Sequence, residues 1–406
     1  MATAFLEFDL HPADRRPADR DTGFELGWDF AHHLLTPPID HLTSGSPLRQ
    51  GWEAGRASFG ARTLEPTRHV RKWLQLRLNA WRRGRSFESV QVTPNYLRQI
   101  DAEHCPITRE TLTHGTGQAS DASIDRVRND AGYAAGNLAV MSARANAAKG
   151  RCGFDEALAS MRLAEAQPPG AAGALIDSAL AGRHGNAATA TAAATELGSL
   201  GAPEWARIAV LCAFVTALPH EQAAGLPLLV LPPNRLRLFN PIQALQALVT
   251  RQLDRPGWSA RIASIVALIP GKAVRRDFQL FVHALLPRVL EAGSRADATT
   301  LRWALEDAWR NPLVLRCWTR FARQLSAVQA EQIVLRASKL RLGAQTARPF
   351  THAEATEGWA LERGGYLAVA PGTVVSIATA ATAATAVTVR PPPPPRRLPT
   401  QLAFNA

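Results

Sequence analysis

The sequence predicts a mainly α-helical protein that carries one small strand–turn–strand–helix unit. Three observations predict it. Apolar residues recur at helical spacing through most of the chain, and cap and turn residues divide that pattern into short helices. Residues 122–150, ASIDRVRNDAGYAAGNLAVMSARANAAKG, break the pattern and read as two short strands followed by a helix.

In chain order, residues 1–61 form a first helical and irregular region. A polar leader and GFELGWDFAHHLL precede Ser46-Pro47, a cap residue followed by proline at the first helical turn. Gly51 and Gly55, next to Trp52 and Phe59, predict close helix packing. His32, His33 and His41 with Asp40 have the chemistry to bind a metal, but ordinary surface histidines are the commoner case.

Residues 62–153 hold a basic helix and the two-strand unit. RTLEPTRHVRKWLQLRLNAWRRGR has eight Arg or Lys against one Glu. Val70, Trp73, Leu74, Leu78 and Trp81 make an apolar stripe, leaving Arg68, Arg71, Lys72, Arg82 and Arg83 largely on other faces. Downstream, 122–127 reads as a strand and Asn129-Asp130-Ala131-Gly132 as turn chemistry. Gly136-Asn137 marks a second turn and 138–141 a second strand. Ser142 then caps a two-turn helix that ends at Lys149 and stops at Gly150. So small a unit buries no core alone and must lean on neighbouring helices or on a bound ion.

Residues 154–345 predict an irregular all-α domain. Phe278, Phe281, Val282, Leu285 and Val289 form one stripe; Leu315, Trp318, Ala322 and Leu325 form another. Asn311-Pro312 and Ser326 with Gln329 mark helix starts. Gly271-Lys272 lacks a phosphate-binding glycine loop, and GxSxG is missing from the sequence. Residues 346–406, with ATAATAATAV-like and RPPPPPRR runs, predict a mobile tail that is extended at its prolines.

Composition narrows the class further. A net charge of +12 and a pI near 10.6 point to an anionic partner. Lys72, Lys149, Lys272 and Lys339 are the only lysines, so arginine supplies nearly all of the charge, and an arginine-rich genome explains that choice as well as phosphate binding does. Four cysteines without a CxxC pair, and an amino terminus without an apolar signal core, predict a reducing cytoplasm. Residues 208–219 are too short to span a membrane. Residues 366–389 are long enough but mostly Ala and Thr, so no membrane association is expected.

Within this frame, residues 70–150 resemble the HNH (ββα-metal) endonucleases. Asp125 falls on that family's Asp, Asn137 on its middle Asn, Asn146 on its last His, and Lys149 on the Lys three positions beyond. The interval of nine from Asn137 to Asn146 matches as well, and CPITRETL (105–112) resembles the knuckle before the first strand. That knuckle keeps one thiol, so no zinc is expected. WRRGRSF, CPIT, SIDRV, GYAAGN and RANAAK look like a phage and bacterial branch of the family.

The resemblance implies a divalent-metal-dependent endonuclease acting on DNA, RNA remaining open. Phosphodiester hydrolysis requires charge stabilisation, a leaving-group partner and an activated water. Asp125 and the Asn146 amide oxygen are suitable ligands for Mg²⁺ or Mn²⁺. Asn137 would brace the turn, while Lys149, Arg144 and the helix arginines Arg82, Arg83 and Arg85 would contact phosphate. Arg126 replaces the family's general-base His; a guanidinium stays protonated and takes no proton from water. His114 is the first candidate for that role, ahead of His104 and Tyr133. The alternative is a nucleic-acid-binding protein whose HNH-like unit has lost its chemistry, with the helical domain binding a protein partner or a second copy. A pure assembly scaffold is a third option.

Overall fold

A computed structural model of the chain describes residues 20–166, 200–254, 256–291, 297–343 and 347–367. The Ala/Thr run and the proline run lie outside the described residues. Within them the protein is mainly helical, with one two-stranded sheet. None of the described helices is long and apolar enough to cross a membrane.

The first three helices are α1 (Arg20–His32), α2 (Pro47–Phe59) and α3 (Arg68–Arg82). Helices α1 and α2 approach at glycines. A Cβ on Gly27 would stand 2.0 Å from the Leu48 carbonyl oxygen, and one on Gly51 would stand 1.9 Å from that of Phe24. The expected close packing is therefore backbone against backbone. Pro47 opens α2 as expected, although the Ser46 side chain makes no cap hydrogen bond.

Helix α3 is more deeply buried than one apolar stripe implies. Leu74, Leu78 and Trp81 pack with Leu26, Phe30 and Leu48 of the first two helices, while Leu76 and Ala80 enter the main core. Even the cations turn inward in places. Arg77 is buried, pairs with Asp29 and stacks 4.5 Å over Trp73. Lys72 Nζ donates to the Ala122 carbonyl at 2.9 Å. Arg68, Arg71, Arg82 and Arg83 keep the exposed positions.

Helix α4 (Pro94–Ile100) leads through the knuckle to β1 (Ala122–Arg126), β2 (Leu138–Ser142) and α5 (Ala143–Lys149). The strands are antiparallel with Asp125 opposite Ala139 and Ser123 opposite Met141. Ser142 Oγ accepts from the Ala145 amide, and Gly150 at φ +50° closes α5 through its amide to Asn146 O. The predicted strand, turn, strand and capped helix are all present, in that order.

Helix α6 (Phe154–Ala166) precedes the helical region. There follow α7 (Ala202–Phe214), α8 (His220–Ala224), α9 (Pro241–Gln252), α10 (Trp258–Leu268), α11 (Lys272–Glu291), α12 (Ala298–Ala308), α13 (Pro312–Ala322), α14 (Ala327–Lys339) and α15 (His352–Ala355). Phe278, Phe281, Leu285, Trp318 and Ala322 from the two predicted stripes are buried together. The Ser326–Gln329 capping box forms, and Asn311 caps α13 through the Leu313 amide.

Two expected borders shift. One buried cluster runs from Leu76 through Val140 and Leu211 to Trp359, so the core does not divide near residue 153. Arg109, at φ +63° in the knuckle, forks onto Asp307 at 2.6 and 2.9 Å, and Arg207 donates to Ile107 O at 2.8 Å. Residues 347–367, expected as the first part of the mobile tail, are instead packed onto the fold. They form a strap in which Trp359 is wholly buried, its Nε1 donating to Ala135 O at 3.0 Å. Gly132 N in turn donates to Trp359 O at 2.7 Å, and Ser86 N to Gly365 O at 2.8 Å.

Candidate site on the two-strand unit

Side chains at alternate strand positions share a face, so Ser123 and Asp125 point to the same side of β1. Asn146 and Lys149 lie one turn apart on α5. The structure brings these two pairs together. Asn146 Nδ2 donates to Ser123 Oγ at 2.7 Å, and Lys149 Nζ lies 2.9 Å from Asp125 Oδ2. Lys149 also donates to Arg126 O at 3.2 Å. Ser123, the acceptor for the Asn146 amide, is not singled out by the sequence; its place two positions before Asp125 is the signal that identifies it.

This pair is interior. The Asp125 side chain is 5% exposed and that of Lys149 0%. Burial pushes the Asp125 carboxyl above the usual range, and the adjacent ammonium opposes that rise without cancelling it. The expected phosphate contact by Lys149 is thus replaced by an inward ion pair. Its ammonium stands on the carboxylate where a cation would bind, and a divalent ion at Asp125 would meet a like charge unless Lys149 withdrew. The arrangement as it stands does not fit a metal held by Asp125 and Asn146.

Arg126 is also held within the fold. Its Nη1 donates to the carbonyls of Asn129 and Ala131 at 3.2 and 2.8 Å, and its guanidinium lies 5.1 Å from the Tyr133 ring centre. Asn137 fulfils its expected bracing role. It is fully buried, accepts from Arg128 N at 2.9 Å, and donates to the carbonyls of Arg128 and Gly132 at 3.0 and 3.2 Å. Every residue from Ala131 to Ser142 is buried. The strap and Arg237, whose amide donates to Gly136 O at 3.0 Å, cover the turn.

The three candidate bases have different surroundings. His114 is exposed, its Nε2 3.2 Å from Arg68 Nη1, beside the Arg68–Asp101 pair. His104 packs edge-on against Trp303 at 5.4 Å, and Tyr133 is buried. Cys105 Sγ accepts from the amides of Ser142 and Thr108 at 3.2 and 3.4 Å, which ties the knuckle to the end of β2.

Of the expected phosphate-binding cations, Arg82 and Arg83 are exposed and Arg144 is half-buried, 3.7 Å from Glu110. Arg85 corrects the expectation. It is 5% exposed, lies 3.8 Å over the Tyr366 ring and donates to Gly364 O at 2.8 Å. Burial and the nearby Arg126 lower its pKa to about 10. In the first region, His32 stacks on Phe59 at 4.3 Å, and among the described residues no group of three acidic, His or Cys side chains is placed to hold a metal.

No family model matches the chain, and neither a curated protein nor a solved structure matches it.

Proposed function

We propose that the chain binds nucleic acid through phosphate contacts, with its HNH-like unit acting as a structural element and not as a hydrolytic centre. The observation that carries this reading is the buried Asp125–Lys149 pair. The carboxylate that would hold an ion is neutralised by an ammonium, and the next residue, Arg126, is turned onto backbone carbonyls. What stays available to a partner is the +12 net charge and exposed arginines such as Arg71 and Arg83. DNA is the expected partner, with RNA as the competitor in the same assay.

A second reading is a Mg²⁺- or Mn²⁺-dependent DNA endonuclease. One observation favours it: Asn146 of α5 bonds to Ser123, which shares a face of β1 with Asp125 two residues on. It requires Lys149 to leave the carboxylate.

One experiment separates the two. Supercoiled plasmid is incubated with the protein and Mg²⁺ or Mn²⁺, alongside Asp125→Ala and Asn146→Ala, while binding to a labelled duplex is followed as salt is raised. The binding reading expects affinity that falls steeply with salt and no nicking above the variants. Nicking by the wild type that disappears in both variants, with binding intact, would establish the endonuclease. Affinity indifferent to salt would remove both readings and leave an assembly scaffold.

A further inference from the structure

The helical region carries a cationic cleft remote in sequence from the HNH-like unit. It has a volume of about 520 Å³ and runs between Gly225, at the end of α8, and one face of α13. Its lining includes Arg316, Thr319, Arg320 and Arg323, with Pro312 and Leu315 as apolar floor and no carboxylate. Residues 312, 316, 319, 320 and 323 form a single helical stripe.

The arginines are placed differently from surface charges in general. Asp277 of α11 has a side chain only 8% exposed, while that of Arg320 is 66% exposed, and the two pair at 3.0 and 2.5 Å. Gln324 donates to the same carboxylate. A buried acid therefore fixes the base of one guanidinium at the cleft wall. Arg316 and Arg323 are exposed, and among the described residues neither meets a carboxylate. Like charges one turn apart destabilise a helix. The macrodipole offsets this for Arg320 and Arg323 near the carboxyl end of α13 but gives no reason for Arg316 in mid-helix. An external anion does.

The spacing selects the kind of anion. Seven residues separate Arg316 from Arg323, about 10 Å along a helix axis. Successive phosphates of a B-DNA strand wind around the axis as well as rising about 3.4 Å along it, so a span of about 10 Å reaches from one phosphate to a neighbour on the same strand and exceeds a single small anion. The lining has guanidiniums and one hydroxyl but no aromatic ring to stack on a base.

We infer that this cleft holds the phosphodiester backbone of a nucleic acid without reading its bases. The inference rests on the proposed function and places its principal contact in the helical region instead of the HNH-like unit.

The test is binding of the full chain to a labelled mixed-sequence duplex over a salt series, comparing wild type, Arg316→Gln/Arg323→Gln and Arg82→Gln/Arg83→Gln. Arg320 is left intact because its removal strands the buried Asp277. Each lost contact should lower the slope of log affinity against log salt by about one. Loss of both should therefore remove about tenfold of the weakening seen between 50 and 200 mM salt. The Arg316→Lys/Arg323→Lys variant should restore the slope, since lysine keeps the charge, and circular dichroism should show all variants folded. If the wild type binds with a steep slope and Arg316→Gln/Arg323→Gln binds identically, the cleft assignment fails while the binding function stands. If the wild type does not bind, both fail. Displacement of the duplex by inorganic phosphate at equal phosphate concentration would replace the backbone assignment with a small-anion site.

Discussion

Replacing Lys149 by Met tests the pair on which the functional reading rests. The change keeps most of the stem and removes the ammonium that lies 2.9 Å from Asp125 Oδ2 and donates to Arg126 O at 3.2 Å. With Lys149 0% and Asp125 5% exposed, bulk solvent is kept from the carboxylate that loses its partner. Breaking a buried pair from one side typically costs about 3–5 kcal/mol, because a charge remains without compensation. The other partner behaves alike, yet converting both to apolar residues is often neutral, so Asp125→Val/Lys149→Met should come within about 2 kcal/mol of wild type. Urea unfolding followed by tryptophan fluorescence measures all four proteins. The single Lys149→Met variant should also depend on pH in a definite direction. Its buried, unpaired carboxyl has a raised pKa in the folded state, so the native form binds the extra proton and loses stability as pH rises. The defect should thus be smaller at pH 5 than at pH 8. If Lys149→Met costs under about 1 kcal/mol and the single effects simply add, the ammonium is not the carboxylate's partner, and an ion site at Asp125 becomes the better account.

Other consequences follow from separate parts of the fold. Gly27→Ala and Gly51→Ala each set a Cβ within 2.0 Å of a facing carbonyl oxygen, so each should destabilise by about 1–3 kcal/mol in chemical denaturation despite alanine's better helix propensity. Asp121 anchors the loop before β1. Burial opposes its ionisation, but hydrogen bonds from the Thr113 and Thr116 hydroxyls and the Thr116 and Gly117 amides hold its pKa below the usual value. That stabilisation is present above the unfolded carboxyl's pKa of about 4 and is lost as pH falls through the folded one. Protection of residues 113–121 against amide exchange, taken relative to the intrinsic rate at each pH, should therefore fall in acid, and Asp121→Asn should abolish that dependence. Trp359→Ala should cost about 3–5 kcal/mol and expose 350–367 to limited proteolysis, since it removes a wholly buried ring and the bond to Ala135.

What was legible in the sequence had local causes. Ser142 and Gly150 bound α5 because a hydroxyl caps amides three residues on and glycine takes φ +50° readily. The α1–α2 approach was readable from Gly51 and Gly55 because a missing side chain has few other uses mid-helix. Asn137 was readable for the same reason: its bonds reach only as far as Arg128 and Gly132. Long-range partners were not. Nothing near Arg85 in WRRGRSF distinguishes it from Arg82 and Arg83; Tyr366 and Gly364 bury it from the other end of the chain. Lys149 ends a helix, where an exposed cation is the ordinary expectation, and its inward turn depends on the depth at which β1 holds Asp125. The arginines of α13 lay in view at helical spacing, but only Gly225, about ninety residues earlier, turns that stripe into a cleft.

The strap has a consequence for how this chain is made. Translation delivers residues 84–137 long before Trp359 and Gly365, yet the backbone amides of Ser86 and Gly132 find their acceptors in those late residues. A nascent chain halted before Trp359 would leave that seam unpaired and its apolar flank open to chaperones and proteases. Completion of the two-strand unit is therefore timed by the ribosome's progress through a distant stretch of message, and early-stop products should be cleared instead of accumulating as a smaller working protein.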